Sequence, residues 1–108
     1  MSETVAVRVE IAADHPAFDG HFPGRAVLPG VALLAEVLEA GAREPRLADC
    51  IGSAPRLAVA KFLAPVGPGA SLVIAFRLDA RSVDWRIDDG SRTVAAGQIA
   101  RADIAAPA

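Results

Sequence analysis

Two proline–glycine pairs within residues 21–30 constrain this chain more than any other feature of its sequence. In Pro23–Gly24 and again in Pro29–Gly30, the proline fixes one backbone angle and favours extended geometry in the residue before it, and the glycine permits a turn that a side chain would block. The segment carries His21 and leads directly into residues 31–43, whose apolar spacing predicts a helix. We therefore expect a stiff loop that presents a histidine beside the start of a helix.

The backbone amides at this helix start indicate a chemical role for the histidine. A helix that begins at Gly30 or Val31 has free N–H groups, and these groups together with the helix dipole favour an anion or a polarised carbonyl oxygen. A histidine next to them can take a proton from a carbon beside a carbonyl. The sequence thus predicts that His21 is a general base. We expect the substrate to contact Gly30, Val31 and Phe22.

Composition narrows the class of protein. With 108 residues, 53% of them apolar and 22% charged, the chain is long enough for one domain with a buried core, residues 1–108. The net charge of −2, with acids and bases interspersed, argues against nucleic-acid binding, and no apolar run reaches the roughly 18 residues that span a bilayer. The single Cys50 and the absence of a secretory signal favour a cytoplasmic location. The sequence shows neither a metal-ligand set nor a nucleotide-binding loop, so we expect no metal and no cofactor.

The first half of the chain is predicted to form a strand, a helix and a loop. Apolar residues alternate with polar or small ones over 4–12, which is typical of a strand. In the helix, four apolar residues are expected on one face and three charged residues on the opposite face: Val31, Leu34, Val37 and Leu38 against Glu36, Glu39 and Arg43. We expect Pro45 to end the helix and residues 44–55 to form a loop.

The second half is predicted to be almost entirely strand. Four segments have the pattern, the first of them apolar enough for a central strand: 57–64, 72–78, 83–88 and 92–101. Turns are expected near Ala80–Arg81 and at Asp89–Gly90, and a shift of apolar phase across Gly97 indicates a β-bulge. One helix followed by antiparallel strands predicts an α+β architecture. We expect the hot-dog fold, in which an antiparallel sheet wraps around a long central helix.

The residues of the loop also resemble a known family. His21-Phe22-Pro23-Gly24-Arg25 followed by Val27-Leu28-Pro29-Gly30-Val31 resembles the signature of the 3-hydroxyacyl-acyl-carrier-protein dehydratases of the FabA/FabZ type, and Lys61-Phe62-Leu63-Ala64-Pro65-Val66 resembles their second characteristic segment. The similarity covers about residues 15–101 and is greatest to small dehydratase-like members. It implies a homodimer whose sheets join edge to edge, with active sites across the interface. It also implies a hydro-lyase that acts on an acyl chain held by the phosphopantetheine of an acyl carrier protein, in fatty-acid or specialised lipid or polyene biosynthesis.

The resemblance assigns roles to individual residues. It implies that His21 takes the proton from C2 of the substrate, that amides at Gly30 or Val31 hold the thioester oxygen, and that a helix acid protonates the leaving hydroxyl. The family's acid lies fourteen residues after the histidine, where this chain has Ala35. Glu36 is one residue later and rotated by about 100°, whereas Glu39 is one turn later and within about 40° of the direction of Ala35. We therefore expect Glu39 to replace the acid and Glu36 to be a solvated edge residue.

Two classes of function remain open from the sequence. One is the dehydratase. The other is a non-catalytic hot-dog protein that has lost the acid and serves as an acyl-thioester binder or partner subunit, and an acyl thioesterase is a weaker third reading. Of the residues outside these schemes, His15 is expected to be structural or exposed, Phe18 to anchor its loop, and Cys50 to be an inert small hydrophobe.

Overall fold

The computed structural model describes residues 3–18 and 27–104, and this part of the chain contains five strands and two α-helices. In chain order they are β1 (Glu3–Glu10), α1 (Gly30–Arg43), α2 (Pro45–Ile51), β2 (Arg56–Phe62), β3 (Ser71–Leu78), β4 (Ser82–Asp88) and β5 (Thr93–Ala100). A single 3-10 turn, Pro16–Phe18, follows β1. His21 and Phe22 lie outside the described residues.

The five strands form one antiparallel sheet in the order β1-β3-β4-β5-β2. The two predicted hairpins join β3 to β4 and β4 to β5. In the second hairpin the backbone of Gly90 has a φ of 96°, which glycine adopts without strain. Strands β1 and β2 are the two edges of the sheet, so each has only one neighbour within the described chain.

The core lies between one face of the sheet and the helix α1. Its largest members come from alternate positions of β3, β4 and β5, where the period of two puts every second side chain on the same face. They include Leu72, Ile74, Phe76, Val83, Trp85, Ile87 and Ile99. This arrangement confirms the predicted hot-dog fold, although α1 is a short central helix of 14 residues. Among the described residues, no helix is long and apolar enough to cross a membrane.

The prediction of which face of α1 is buried is wrong, because the observed buried face is rotated about the helix axis relative to the predicted one. The side chains that α1 buries are Leu33, Val37 and Ala40, whereas Val31 is 80% exposed. Leu34 and Leu38 are only half-buried. The helix is apolar on two adjacent faces, and the sequence pattern gave no means of telling which face the sheet covers. The second face remains open within this chain.

The predicted loop 44–55 instead contains α2. Pro45 begins this helix because a proline at the first helical position loses no intrahelical hydrogen bond. Leu47, Cys50 and Ile51 follow at spacings of three and four residues and are all buried. The short apolar face of α2 was therefore present in the sequence but was masked by the prolines and glycines around it.

Strand β2 is not the predicted central strand. Among the described strands it pairs with β5 alone, and it is exposed along most of its length. The run 57–64 has the apolar composition of a buried strand, yet the single chain leaves Leu57, Val59 and Phe62 between 40% and 49% exposed. Its hydrophobicity therefore requires an explanation other than the core of this chain.

The predicted β-bulge lies in β5 but not at Gly97. Ile87 faces Ala95 and Asp88 faces Thr93, so the extra residue is Val94. Gly97 pairs regularly, and it is needed for a different reason. A Cβ atom at this position would lie 2.4 Å from Cζ2 of Trp85 and 2.3 Å from the carbonyl oxygen of Val59.

Candidate active site

The start of α1 brings the two sequence motifs together. The N–H of Leu28 donates to the carbonyl oxygen of Val66 over 2.7 Å, and both side chains are buried. The ring of Phe62 packs against Gly30, where a Cβ atom would lie 3.0 Å from its Cζ atom. The segment before α1 is therefore held against the segment after β2.

The first amides of α1, which follow Pro29, have no backbone acceptor within the helix. Its ψ of 149° is extended, and the first i to i−4 hydrogen bond of the helix runs from the N–H of Leu33 to the carbonyl oxygen of Pro29. Pro29, at the N-cap position, makes no side-chain hydrogen bond to this end of the helix. The N–H groups of Gly30 and Val31 are thus helix-terminal donors of the kind that stabilises a negatively charged oxygen.

Ala35 lies on the exposed side of α1, one turn after Val31. The family resemblance places a carboxylic acid at this position, and the methyl group of alanine cannot donate a proton. The acid would have to come from another residue of the helix or from another chain.

Glu36 points away from this exposed side and is only 22% exposed. Its Oε1 atom lies 3.5 Å from Nε2 of His15, whose ring packs edge to face against Phe18. The prediction of a solvated helix edge is therefore too simple for Glu36. The expectation that His15 is structural agrees with the contacts it makes.

Glu39 is exposed and forms an ion pair with Arg43, one turn later on the helix. Both acids line a cleft of about 280 Å³ between α1 and β1, together with apolar and charged residues of that strand. Arg43 is itself 75% exposed, so its side chain has room to leave Glu39 without disturbing the core. Glu39 is the more accessible of the two candidate acids.

A polar cluster at the opposite end of the fold involves Cys50. Burial raises the pKa of its thiol, and a hydrogen bond to Asp103 raises it further. Arg101 donates two hydrogen bonds to Asp103 and holds the pKa of that carboxyl at about 2. A thiol in this environment is a poor nucleophile, which agrees with the expected inert role of Cys50.

Sequence reasoning missed two features of this region. One is the contact between His15 and Glu36, which are 21 positions apart in the sequence and carry no shared motif. The other is a set of exposed apolar side chains on both faces of β2 and beside it, which we call the β2 surface: Val31, Leu57, Val59, Phe62 and Leu63. The apolar run of β2 signalled the second feature, but it was interpreted as evidence of burial within one chain.

The fold is that of hot-dog dehydratase-like proteins of the FabA/FabZ type. Residues 1–98 match the ApeI-like family, described as ApeI dehydratase, and the chain belongs to this family. The 3-hydroxyacyl-acyl-carrier-protein dehydratase FabZ of Polynucleobacter asymbioticus is 32% identical over 81 residues, which cover 71% of this chain and 54% of that protein. The chain spans about half the length of the curated relatives it matches.

Two solved structures show how widely the fold is used. A chain of the dehydratase heterocomplex ApeI:P from Xenorhabdus doucetiae superposes with a TM-score of 0.73 at 23% identity, covering 94% of this chain and 93% of that one. A mutant of the fluoroacetyl-CoA-specific thioesterase FlK, in complex with fluoroacetate and CoA, superposes with a TM-score of 0.65 at 17% identity, covering 94% and 91%. Likeness at these identities shows the fold alone.

Proposed function

We propose that this protein is a hydro-lyase that eliminates water from a 3-hydroxyacyl thioester carried by an acyl carrier protein. The observation that carries the proposal is the start of α1, where Gly30 and Val31 present helix-terminal amides nine and ten positions after His21 in the sequence. Membership of a dehydratase family and the similarity to FabZ support the same reaction.

The proposed reaction has a simple balance of atoms. His21 takes a proton from C2, and negative charge develops on the thioester oxygen, where the amides of Gly30 and Val31 stabilise it. The C3–O bond then breaks, and a carboxylic acid gives its proton to the leaving hydroxyl. The products are a 2-enoyl thioester and water.

Glu39 is the proposed acid. Glu36 is engaged with His15, whereas Glu39 contacts the exposed Arg43 and can be released by a rotation of that side chain. Glu39 must also become shielded from water to keep its proton near neutral pH. In this chain Glu39 lies in the cleft between α1 and β1, so a substrate or partner that covers this cleft would provide the shielding.

The β2 surface supports a homodimer. Seven large hydrophobic side chains are exposed among the described residues, and five of them belong to this surface. Apolar groups that cluster beside a free sheet edge are typical of a protein interface. Pairing of β2 with the same strand of a second copy would extend the sheet and cover the open face of α1.

The direct test is dehydration of a 3-hydroxyacyl acyl carrier protein, followed by mass spectrometry of the acyl group. We expect loss of one water molecule from the substrate, and a rate at least about 10²-fold lower for His21→Ala. Absence of turnover with thioesters of several chain lengths would refute the dehydratase proposal. Release of the free acid would instead indicate a thioesterase.

Substitution of the two acids tests the assignment of Glu39. Glu39→Gln should reduce kcat by about 10²-fold or more, because an amide cannot donate the proton, while Glu36→Gln should change kcat little. A larger loss for Glu36→Gln would show that the acid is misassigned. As the complementary change, Ala35→Glu should restore the family acid if the natural protein has too weak a proton donor, and then kcat should rise.

A second candidate function is favoured by one observation, the exposed alanine at position 35. A chain without its own acid can serve as an acyl-thioester binder or as the partner subunit of an active relative, and the structure of ApeI:P is described as a heterocomplex. Binding of an acyl carrier protein without turnover would favour this function. Activity that appears only after a related subunit is added would favour the partner role.

A further inference from the structure

His15 joins the 3-10 turn Pro16–Phe18 to helix α1. Its Nδ1 atom accepts a hydrogen bond of 3.0 Å from the N–H of Ala17, and its Nε2 atom lies 3.5 Å from Oε1 of Glu36. The two side chains are 27% and 22% exposed. The imidazole therefore contacts the turn with one nitrogen and the helix with the other.

These contacts select one form of the histidine. Because Nδ1 accepts a hydrogen bond from a backbone amide, it carries no proton, and in the neutral ring the hydrogen is on Nε2. The nitrogen that carries this hydrogen is the one that lies 3.5 Å from Oε1 of Glu36. Two backbone hydrogen bonds also hold the turn. The N–H of His15 donates to the carbonyl oxygen of Ala12, and the N–H of Phe18 donates to the carbonyl oxygen of His15.

We propose that His15 and Glu36 are positioning residues for the elimination, an inference that rests on the proposed function. They fix the turn that immediately precedes the segment with His21 to the helix whose first amides hold the thioester oxygen. The proposed base precedes helix α1 in the chain, and the oxygen-binding amides are the first amides of α1. His15 links the turn Pro16–Phe18, which lies shortly before the base in the sequence, to α1. Displacement of about 1 Å in such a constellation can cost up to about 10²-fold in rate.

This role differs from that of a general acid and is separable from it. A positioning residue at 36 needs an oxygen atom that faces Nε2, whereas a general acid needs an exchangeable proton. Glutamine retains the oxygen and lacks the proton. The pair Glu36→Gln and Glu36→Ala therefore distinguishes the two roles at a single position.

The kinetic experiment uses these two variants together with His15→Asn. Asparagine can still accept the Ala17 hydrogen bond but is too short to reach Glu36. We expect His15→Asn and Glu36→Ala each to lower kcat by between about 10-fold and 100-fold with little change in KM, and Glu36→Gln to remain within about fivefold of the parent. Glu44→Gln removes a charge from the same cleft and should leave kcat unchanged.

The double variant completes the kinetic test. If the two residues act through one contact, His15→Asn with Glu36→Ala should be no slower than the slower single variant. Multiplication of the two single losses would overturn the proposal, as would an equal loss for Glu36→Gln and Glu36→Ala.

Two measurements are independent of turnover. Nitrogen NMR of the parent at neutral pH should show His15 protonated on Nε2 and not on Nδ1, and the Tm losses of the two single variants should be less than additive. A ring protonated on Nδ1, or fully additive Tm losses, would overturn the contact itself. If these results hold while no dehydration occurs, the proposed function fails and the link between turn and helix survives as a structural one.

Discussion

The two edges of the sheet differ in how they meet solvent. Strand β1 places its valines toward the core, where they are half-buried, and its outward positions include Arg8 and Glu10. Strand β2 exposes three large apolar side chains, Leu57, Val59 and Phe62, besides its charged residues Arg56 and Lys61. Charged residues on an edge strand discourage pairing with another chain, and exposed apolar residues permit it. We infer that β1 is the edge that stays free and that β2 is the edge that receives a partner.

The same difference extends to the sides of α1 that flank these edges. Toward β1 the helix presents Glu36, Glu39 and Arg43, which line a polar cleft with that strand. Toward β2 it presents Gly30, which the ring of Phe62 contacts directly. The candidate acids thus lie on the side of the helix toward β1, whereas the contact with β2 is at its first residue. A partner paired at β2 would therefore approach the start of α1 and leave the cleft with Glu39 on the side toward β1.

Gly97→Ala tests how firmly the β2 edge is attached and has the largest expected effect on stability. Its Cβ atom would collide with the indole of Trp85 and with the backbone of Val59, which cannot move without shifting β2. We expect the free energy of unfolding to fall by about 3 kcal/mol. Urea unfolding at a fixed protein concentration measures the loss, with Ala6→Val on β1 as a control that should change it by less than about 0.5 kcal/mol. A loss below about 1 kcal/mol for Gly97→Ala would show that β2 yields easily.

Val59→Lys and Ala6→Lys test the difference between the edges directly. Both positions are exposed and lie on the outer face of the sheet, one on each edge strand. The parent should be a dimer at micromolar concentration. Val59→Lys should raise the dissociation constant of the dimer by about 10²-fold, because the charge would be buried without a partner, and Ala6→Lys should not change it.

Light scattering and sedimentation measure the oligomeric state of these variants. A monomeric parent would contradict the proposed homodimer. A dimer that is weakened by Ala6→Lys and not by Val59→Lys would show that the two edges have been assigned the wrong way round.

The hairpin between β4 and β5 gives the smallest expected effect. Backbone and side-chain hydrogen bonds from Ser91, followed by the N–H of Arg92, lower the pKa of Asp89 from 3.8 to about 2. A carboxyl with a lowered folded-state pKa stabilises the fold above its unfolded-state pKa, and this stabilisation is lost as the pH falls toward 2. Asp89→Asn should therefore have a Tm that falls less than that of the parent between pH 5 and pH 2. Calorimetry measures this, with Asp49→Asn as a control for net charge, and an unchanged Tm profile for Asp89→Asn would contradict the prediction.

Local patterns in the sequence were sufficient for much of the fold. The alternation in β3 and β4 predicted both strands and their shared inner face, because a strand has a side-chain period of two whatever surrounds it. Asp89–Gly90 predicted its hairpin because the turn requires a residue that accepts positive φ. The helix start at Gly30 was likewise predictable, since Pro29 limits where the helix can begin. The family resemblance rested on these same local residues.

Only the tertiary structure decided which apolar surfaces are covered and which polar groups meet. Val31 and Leu33 are both apolar, but the sheet covers only one side of α1. Of these two residues, Leu33 is buried and Val31 is exposed. The run 57–64 became an edge because strand order depends on pairing between distant segments, which composition does not encode. The contact of His15 with Glu36 depends on how the turn packs on the helix. Side-chain periodicity and turn preferences are set by a few neighbouring residues. Which apolar surfaces become buried, and which distant residues come into contact, depends on the whole chain.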